Sequence, residues 1–266
     1  MNTKALARKL ERNYFSYYRL GVGLDDYQCY EMEELVYLLS HQHDAYFNVI
    51  LHAHLQPEFL HSTVTSLVTQ YQQANIPFCW KVGARSAPRT PLMRELERQG
   101  FKRHESIMGC WFDFRAHKVP NAAETTPSEL AICTVETIQQ AREWLLPFQS
   151  GFQVDATVKE FVFRFNQQAK HRKGSQFMNL LGSVQGEPVC SSTLVYDAGI
   201  ACLYDVATVG HHRRKGYGQA MVWEGVRQVS AQHVPGVGLY STPTGLPLYR
   251  KLGFIPISSH EIFSFS

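Results

Sequence analysis

The stretch "DVATVGHHRRKGYGQAM", Asp205 to Met221, decides how this chain folds. It opens on residues that suit a strand and passes through Arg213, Arg214 and Lys215. It then meets Gly216-Tyr217-Gly218 and runs into a helix-period segment, "QAMVWEGVRQVSAQ". A glycine-rich turn between a strand and a helix leaves several backbone N–H groups unpaired and aimed one way, and the helix N-terminus adds positive dipole character. Together they bind phosphate. Gly216 and Gly218 let the main chain approach a diphosphate with no Cβ in the way, and the three cations surround it with charge. A solvated turn is the competing reading of so short a pattern.

The surroundings sharpen the choice. The loop does not follow the first strand of a βαβ unit, and no acidic ribose ligand stands where a dinucleotide-binding fold needs one. Gly-Lys-Ser/Thr is missing too, which disfavours a nucleotide triphosphatase. Upstream, "ELAICTV" predicts a strand, and "ETIQQAREWLLPF" and "TVKEFVFRFNQQ" predict helices. "FMNLLGSVQGEPVCSSTLVYDAGIACLYDVATVG" predicts three strands joined by Gly-Glu-Pro and Asp-Ala-Gly turns. Connections this short cannot cross over, so the three form an antiparallel meander. Downstream come a strand, "GVGLYST", a short helix, "LPLYRKLG", stopped by Gly253, and a closing strand, "FIPISSHEIFSFS".

The segment "FRAHKVPNAAETTPSEL", Phe114 to Leu130, is poor in large apolar residues and reads as a linker. It predicts an N-terminal domain over residues 1–118, a connection over 119–128 and a C-terminal domain over 129–266. The first half echoes the second. "FCWKVGARSAPRTPLMRELERQGF" parallels "VGLYSTPTGLPLYRKLGF", and "FNVILHAHLQPEFLHSTVTSL" can be laid over "LYDVATVGHHRRKGYGQAM". The glycines and basic residues of the loop have no counterpart in the first half.

With 44% hydrophobic and 18% charged residues, the 266-residue chain can build a real core and is not disordered. A net charge of +3 is too mild for the dense basic stripe of a nucleic-acid binder. The sequence offers no apolar run of signal-peptide or bilayer-spanning length. Six cysteines without close pairs read as reduced core thiols, which predicts a cytoplasmic protein.

"DVATVGHHRRKGYGQAM" together with "LYSTPTGLPLYRKLGF" resembles the GNAT (GCN5-related) N-acetyltransferases. The matching features are a strand, an Arg-x-x-Gly-x-Gly loop and helix, then a closing strand and a Tyr-bearing helix. The resemblance covers essentially all of residues 129–266, and the first half resembles the degenerate domain of tandem members. It implies an α/β (α+β) fold, a mixed and mostly antiparallel sheet flanked by helices, preceded by a smaller GNAT-like domain. It also implies acetyl-CoA as co-substrate and a small-molecule or peptide amine as acceptor. Nucleic acid, membrane and metal play no part, and a homodimer is admitted.

The resemblance further implies roles for single residues. The edge of Val206, Ala207 and Thr208 pairs through its backbone with the pantetheine arm. Arg213, Arg214, Lys215, Gly216, Tyr217, Gly218 and Gln219 hold the diphosphate. Thr242 stands where the family often has a cofactor-contacting Asn. Tyr249 matches the general acid. A phenol of pKa ~10 can protonate a leaving thiolate whose thiol has pKa ~8.5, and a backbone N–H near Thr208 can stabilise the oxyanion. No base is assigned. The closing strand lacks a carboxylate, Asp205 and Glu224 read as a strand-edge acid and a solvated helix acid, and proton removal through ordered water is expected. In the first half, His41, His43, His52, His54 and His61 read as surface residues, as do His211 and His212 before the loop. Leu96 falls where Tyr249 has its counterpart. Two alternatives stay open: a non-catalytic acetyl-CoA-binding or scaffold module, and an acyltransferase that uses another acyl-CoA.

Overall fold

Asn2 begins the first helix by accepting the Ala5 N–H at 2.8 Å. This helix, α1 (Thr3–Arg19), turns Leu6, Leu10, Tyr14 and Tyr18 inward at helical spacing. It leads to an antiparallel run of β1 (Tyr27–Glu31), β2 (Leu35–Ser40) and β3 (Val49–Ala53). Then follow α2 (Pro57–Gln73), β4 (Phe78–Val82), α3 (Arg89–Arg98), the short β5 (Lys102–Arg103) and β6 (Ile107–Asp113). A single helical turn, α4 (Ala122–Thr125), lies in the connection, where the Arg227 guanidinium holds Thr125 Oγ1 at 2.9 Å. The computed structural model describes residues 2–171, 177–197 and 199–265.

After the connection come β7 (Leu130–Thr134), α5 (Ile138–Phe152), α6 (Ala156–His171), β8 (Phe177–Val184), β9 (Glu187–Asp197) and β10 (Ile200–Thr208). The start of α5 is a capping box, because Thr137 Oγ1 accepts the Gln140 N–H while Gln140 Oε1 accepts the Thr137 N–H. Strands β8, β9 and β10 form the expected antiparallel meander. Gln185 and Gly186, both at positive φ, make its first turn; residue 198 of the second turn lies outside the described residues. The chain finishes with α7 (Tyr217–Ser230), β11 (Gly236–Ser241), α8 (Leu246–Lys251) and β12 (Ile255–Phe265).

Both halves run in the same order: a three-stranded meander, a helix, a strand parallel to the third, a short helix and a last strand. The parallel pairs are β3 with β4 and β10 with β11. Among the described residues the strands form one 12-stranded sheet, ordered β1-β2-β3-β4-β12-β6-β11-β10-β9-β8-β7 with β5 beside β12. The last strands are exchanged. β6 precedes the connection yet pairs with β11, and β12 follows it yet pairs with β4. The segment 119–128 therefore interrupts the sequence without interrupting the sheet.

Helices α1, α5 and α6 cover one face over a core that draws on both halves, from Phe47 and Val49 to Trp144 and Phe165. On the other face α2 and α3 close one core, centred on Trp80 and Tyr71, and α7 and α8 close another, centred on Met221 and Phe112. Helix α1 is pinned across the halves by Asn13. Its amide donates to the Val195 carbonyl at 3.1 Å, and its Oδ1 accepts from Tyr204 at 2.8 Å. Four of the free cysteines, Cys79, Cys110, Cys190 and Cys202, are buried; burial pushes the last two thiols up to about 12. No helix among the described residues is long and apolar enough to cross a membrane.

Candidate active site

Strand β10 is the framework of the site. It pairs with β11 only from Ala201 to Leu203. Directly afterwards a bulge at Asp205 and Val206, with Asp205 at φ +54°, turns β10 away from its parallel neighbour. Trp144 stabilises the bulge by donating its indole N–H to the Ser192 carbonyl at 3.1 Å. Beyond it Ala207 faces Ser191 and Thr208 faces Cys190 on β9. The Val209 N–H donates to the Val189 carbonyl at 3.0 Å, so by antiparallel alternation the Thr208 N–H and C=O turn to the opened side. The Thr208 carbonyl there accepts from Arg213 Nε at 3.1 Å. Its N–H faces the gap between β10 and β11.

The glycine loop closes one end of that gap. Arg214 and Gly216 both have positive φ, of 65° and 84°, and Gly216 caps α7 without any side-chain hydrogen bond. The first intrahelical bond runs from the Ala220 N–H to the Gly216 carbonyl, which leaves the amides of Tyr217, Gly218 and Gln219 without intrahelical acceptors. Arg213, Arg214 and Lys215 are exposed around them. A Cβ added at Gly218 would lie 3.3 Å from Thr208 Oγ1, so the loop packs closely on the strand and a methyl there would make the threonine give by a few tenths of an ångström. The Tyr217 side chain points elsewhere: it is buried, and its hydroxyl donates to Glu129 at 3.0 Å. The loop thus presents Tyr217 by its backbone alone.

At the other end of the gap lies a cleft of about 520 Å³. Leu203, Asp205 and Val206 of β10 line it, as do Tyr240 of β11 and Thr242 and Tyr249 of the following turn and helix. Thr242 caps α8, since its carbonyl accepts the Leu246 N–H at 3.0 Å and its Oγ1 accepts the Gly245 N–H at 3.3 Å. The Tyr249 ring stands edge-on to Phe254, and burial raises its phenol well above the usual range. Gly253 at φ +93° ends this helix, as its place in the sequence requires.

Asp205 is no strand-edge acid. It is buried in the bulge, with Tyr17 Oη 3.1 Å from its Oδ2, and burial pushes its carboxyl up to about 6 against hydrogen bonds from Thr193 and Tyr17. Glu224 on α7 is tied to Arg227 at 2.9 Å. The histidines depart from expectation in part. His52 is buried, and that holds its imidazole down to about 4. His212 is also buried, 3.6 Å from Glu187, whereas His211 is exposed. Among the described residues Glu187, His211 and His212 bring one ligand atom each within 4.8 Å of the others, beside the loop.

The first half contributes residues that sequence reasoning passed over. Tyr14 from α1, Tyr46 from the turn before β3, Lys81 from β4 and Ile107 from β6 also line the cleft. The readable signals were faint. "NYFSYY" sets Tyr14, Tyr17 and Tyr18 on one helical face, and Lys81 is the lone charge in the apolar run "IPFCWKV".

No family model matches the sequence, and no curated protein matches it significantly. Solved structures do match the fold. A GCN5-related N-acetyltransferase from Kribbella flavida superposes with a TM-score of 0.70 at 15% identity, over 97% of this chain and 95% of that one. One from Sphaerobacter thermophilus gives 0.63 at 17% identity, over 98% and 91%. A tandem GNAT protein from the clavulanic acid biosynthesis pathway gives 0.62 at 12% identity, over 87% and 78%. This chain therefore carries the GCN5-related N-acetyltransferase fold along nearly its whole length, in an arrangement that a tandem GNAT protein shares.

Proposed function

We propose that the protein is an acyl-CoA N-acyltransferase that moves an acetyl group from acetyl-CoA to a primary amine. The observation that carries this reading is the divergence of β10 from β11, with the Thr208 N–H turned toward the opened edge, the glycine loop at one end and Tyr249 at the other. The residues suit a CoA thioester. Amides of Tyr217, Gly218 and Gln219, with Arg214 and Lys215 beside them, form an anion cradle for a diphosphate. Val206, Ala207 and Thr208 offer a strand edge for the amide-bearing arm, and Thr242 flanks the cleft where that arm would end.

In this reading Asp205 removes the proton of the acceptor ammonium. A carboxyl held at about 6 is mostly ionised at neutral pH, yet basic enough to accept. The freed amine forms the new N–C bond at the thioester carbonyl. The Thr208 N–H donates to the oxygen that gains charge, Tyr249 protonates sulfur as the C–S bond breaks, and the proton that the attacking nitrogen sheds as the amide forms passes through water to restore Tyr249. Burial favours that last role, because a phenol with a raised pKa stays protonated until the thiolate appears. Residues 1–118 would form the degenerate half. Helix α2 begins with Pro57 after an uncapped Gln56 where α7 has its glycine loop, and fully buried Leu96 stands in place of Tyr249.

Titration of acetyl-CoA into the wild type and Gly216→Glu tests the site. The glutamate would place a carboxylate at the cradle from a backbone at φ +84° that disfavours any side chain. Micromolar binding that weakens at least tenfold in the variant is expected. Equal affinity in the two proteins would put the donor elsewhere.

A further inference from the structure

We infer that the acceptor carries an anionic group, a carboxylate, besides the amine that is acylated, and that Lys81 binds it. This inference rests on the acyl-transfer reading above. Lys81 lies on β4 opposite Ile262 of β12 and is only 5% exposed, yet it lines the cleft that holds Asp205 and Tyr249. Its ammonium donates to the hydroxyls of Tyr14 and, at 2.9 Å, Tyr18. It also stands 4.6, 5.1 and 5.4 Å from the ring centres of Tyr14, Tyr18 and Tyr46. Lysine has three donors, and two are used. Among the described residues no carboxylate forms an ion pair with it. A cation buried among phenols and rings, with no ion-paired carboxylate among the described residues, favours an anion in the space it faces.

The geometry of the phenols extends the argument. Tyr17 donates to Asp205 at 3.1 Å, its ring packs edge-on to that of Tyr18 at 5.4 Å, the Tyr46 ring lies 5.7 Å from that of Tyr18, and Tyr18 accepts from Lys81 at 2.9 Å. One wall of the cleft therefore runs from a buried acid to a buried cation through packed phenol rings. An ammonium belongs at the Asp205 end and a carboxylate at the Lys81 end. That is the charge pattern of an amino acid, with Ile107, Leu203 and Tyr240 available to its apolar body. A polyamine or other polycation would meet Lys81 with like charge.

The test pairs α- and ω-amino acids with their own carboxamides as acceptors. Thiol release from acetyl-CoA is followed for wild type, Lys81→Met and Lys81→Arg. The wild type should prefer acids over amides by about 10- to 100-fold in kcat/KM, the size of a charge-assisted hydrogen bond. Lys81→Met should erase that preference through KM while its turnover of amides persists, and Lys81→Arg should restore part of it. Amides or diamines that equal the acids in wild type, or an acid preference that survives in Lys81→Met, would overturn the inference. Acetyl-CoA titrated alone separates the two readings. If it binds and amides are acylated, the transferase reading stands whatever becomes of Lys81. If it does not bind, direct titration of the amino acids still decides: binding lost in Lys81→Met supports the anion site, and no binding to wild type removes it. Methionine replaces a buried charge by a side chain of similar length, so both proteins should fold.

Discussion

Tyr249→Phe is the substitution in which chemistry and structure predict different things. The Tyr249 hydroxyl lines the cleft and has no hydrogen-bond partner among the described residues, while its ring packs on Phe254. Removing the oxygen leaves no orphaned donor or acceptor behind. The stability cost should stay below about 1 kcal/mol. For a chain of this size that moves the thermal midpoint by no more than about 2–4 °C. Acetyl-CoA affinity should hold within a factor of two, since the loop and the β10 edge are untouched. Turnover should fall by about 10²- to 10³-fold, within the range of a lost general acid and equal to about 3–4 kcal/mol of barrier. Steady-state thiol release gives kcat, and calorimetric titration gives the affinity. A kcat within threefold of wild type would refute the assignment and leave Tyr249 as a packing residue. The pH profile adds a check of sign. Burial and then the Cys110 thiol raise the phenol, so the acid form persists to at least pH 10 and Tyr249 should impose no alkaline limb below that.

Asp205→Asn should remove the rising limb of kcat/KM that wild type shows near pH 6. The carboxyl is raised in the fold, so its stabilising contribution is complete below about pH 4 and lost as pH climbs through about 6. The variant should therefore be more stable than wild type above pH 6, by up to about 3 kcal/mol in denaturant unfolding; unchanged stability would mean the carboxyl is not raised. Residues 1–118 and 119–266 expressed separately should each be poorly soluble, because each lacks the strand that pairs with its own β4 or β11. Expressed together they should form a stable complex by gel filtration, and two soluble, independently folded halves would contradict the exchanged sheet.

Much of the C-terminal half was legible because its signals are local. The meander is set by short turns, the start of α5 by Thr137 and Gln140, and the end of α8 by Gly253, each within a few residues of the feature it makes. Gly216 was legible for the same reason: a glycine at positive φ before a helix is written into the sequence. Asp205 was not. Its burial follows from a bulge that splays two strands and from α1 laid across them, and neither shows in "LYDVAT". His52 was misread as a surface residue because strand alternation cannot tell which face another helix will cover.

The partner of each last strand was the least legible feature, and it governs the acceptor side of the cleft. "FIPISSHEIFSFS" announces a strand, but alternation is blind to whether β4 or β11 receives it. The structure sends its later residues to β4, where Ile262 faces Lys81 and Ser264 faces Cys79. Its earlier residues run beside β6, which is itself inserted next to β11. An unexchanged pairing would close each half around its own strands and keep Lys81 away from the splayed edge of β10. With the exchange, α1 crosses both halves, Tyr17 reaches Asp205, and Lys81 faces the same space as Tyr249. The half without a glycine loop thus supplies the only lysine in that cleft among the described residues, and its charge is the feature on which the acceptor should turn.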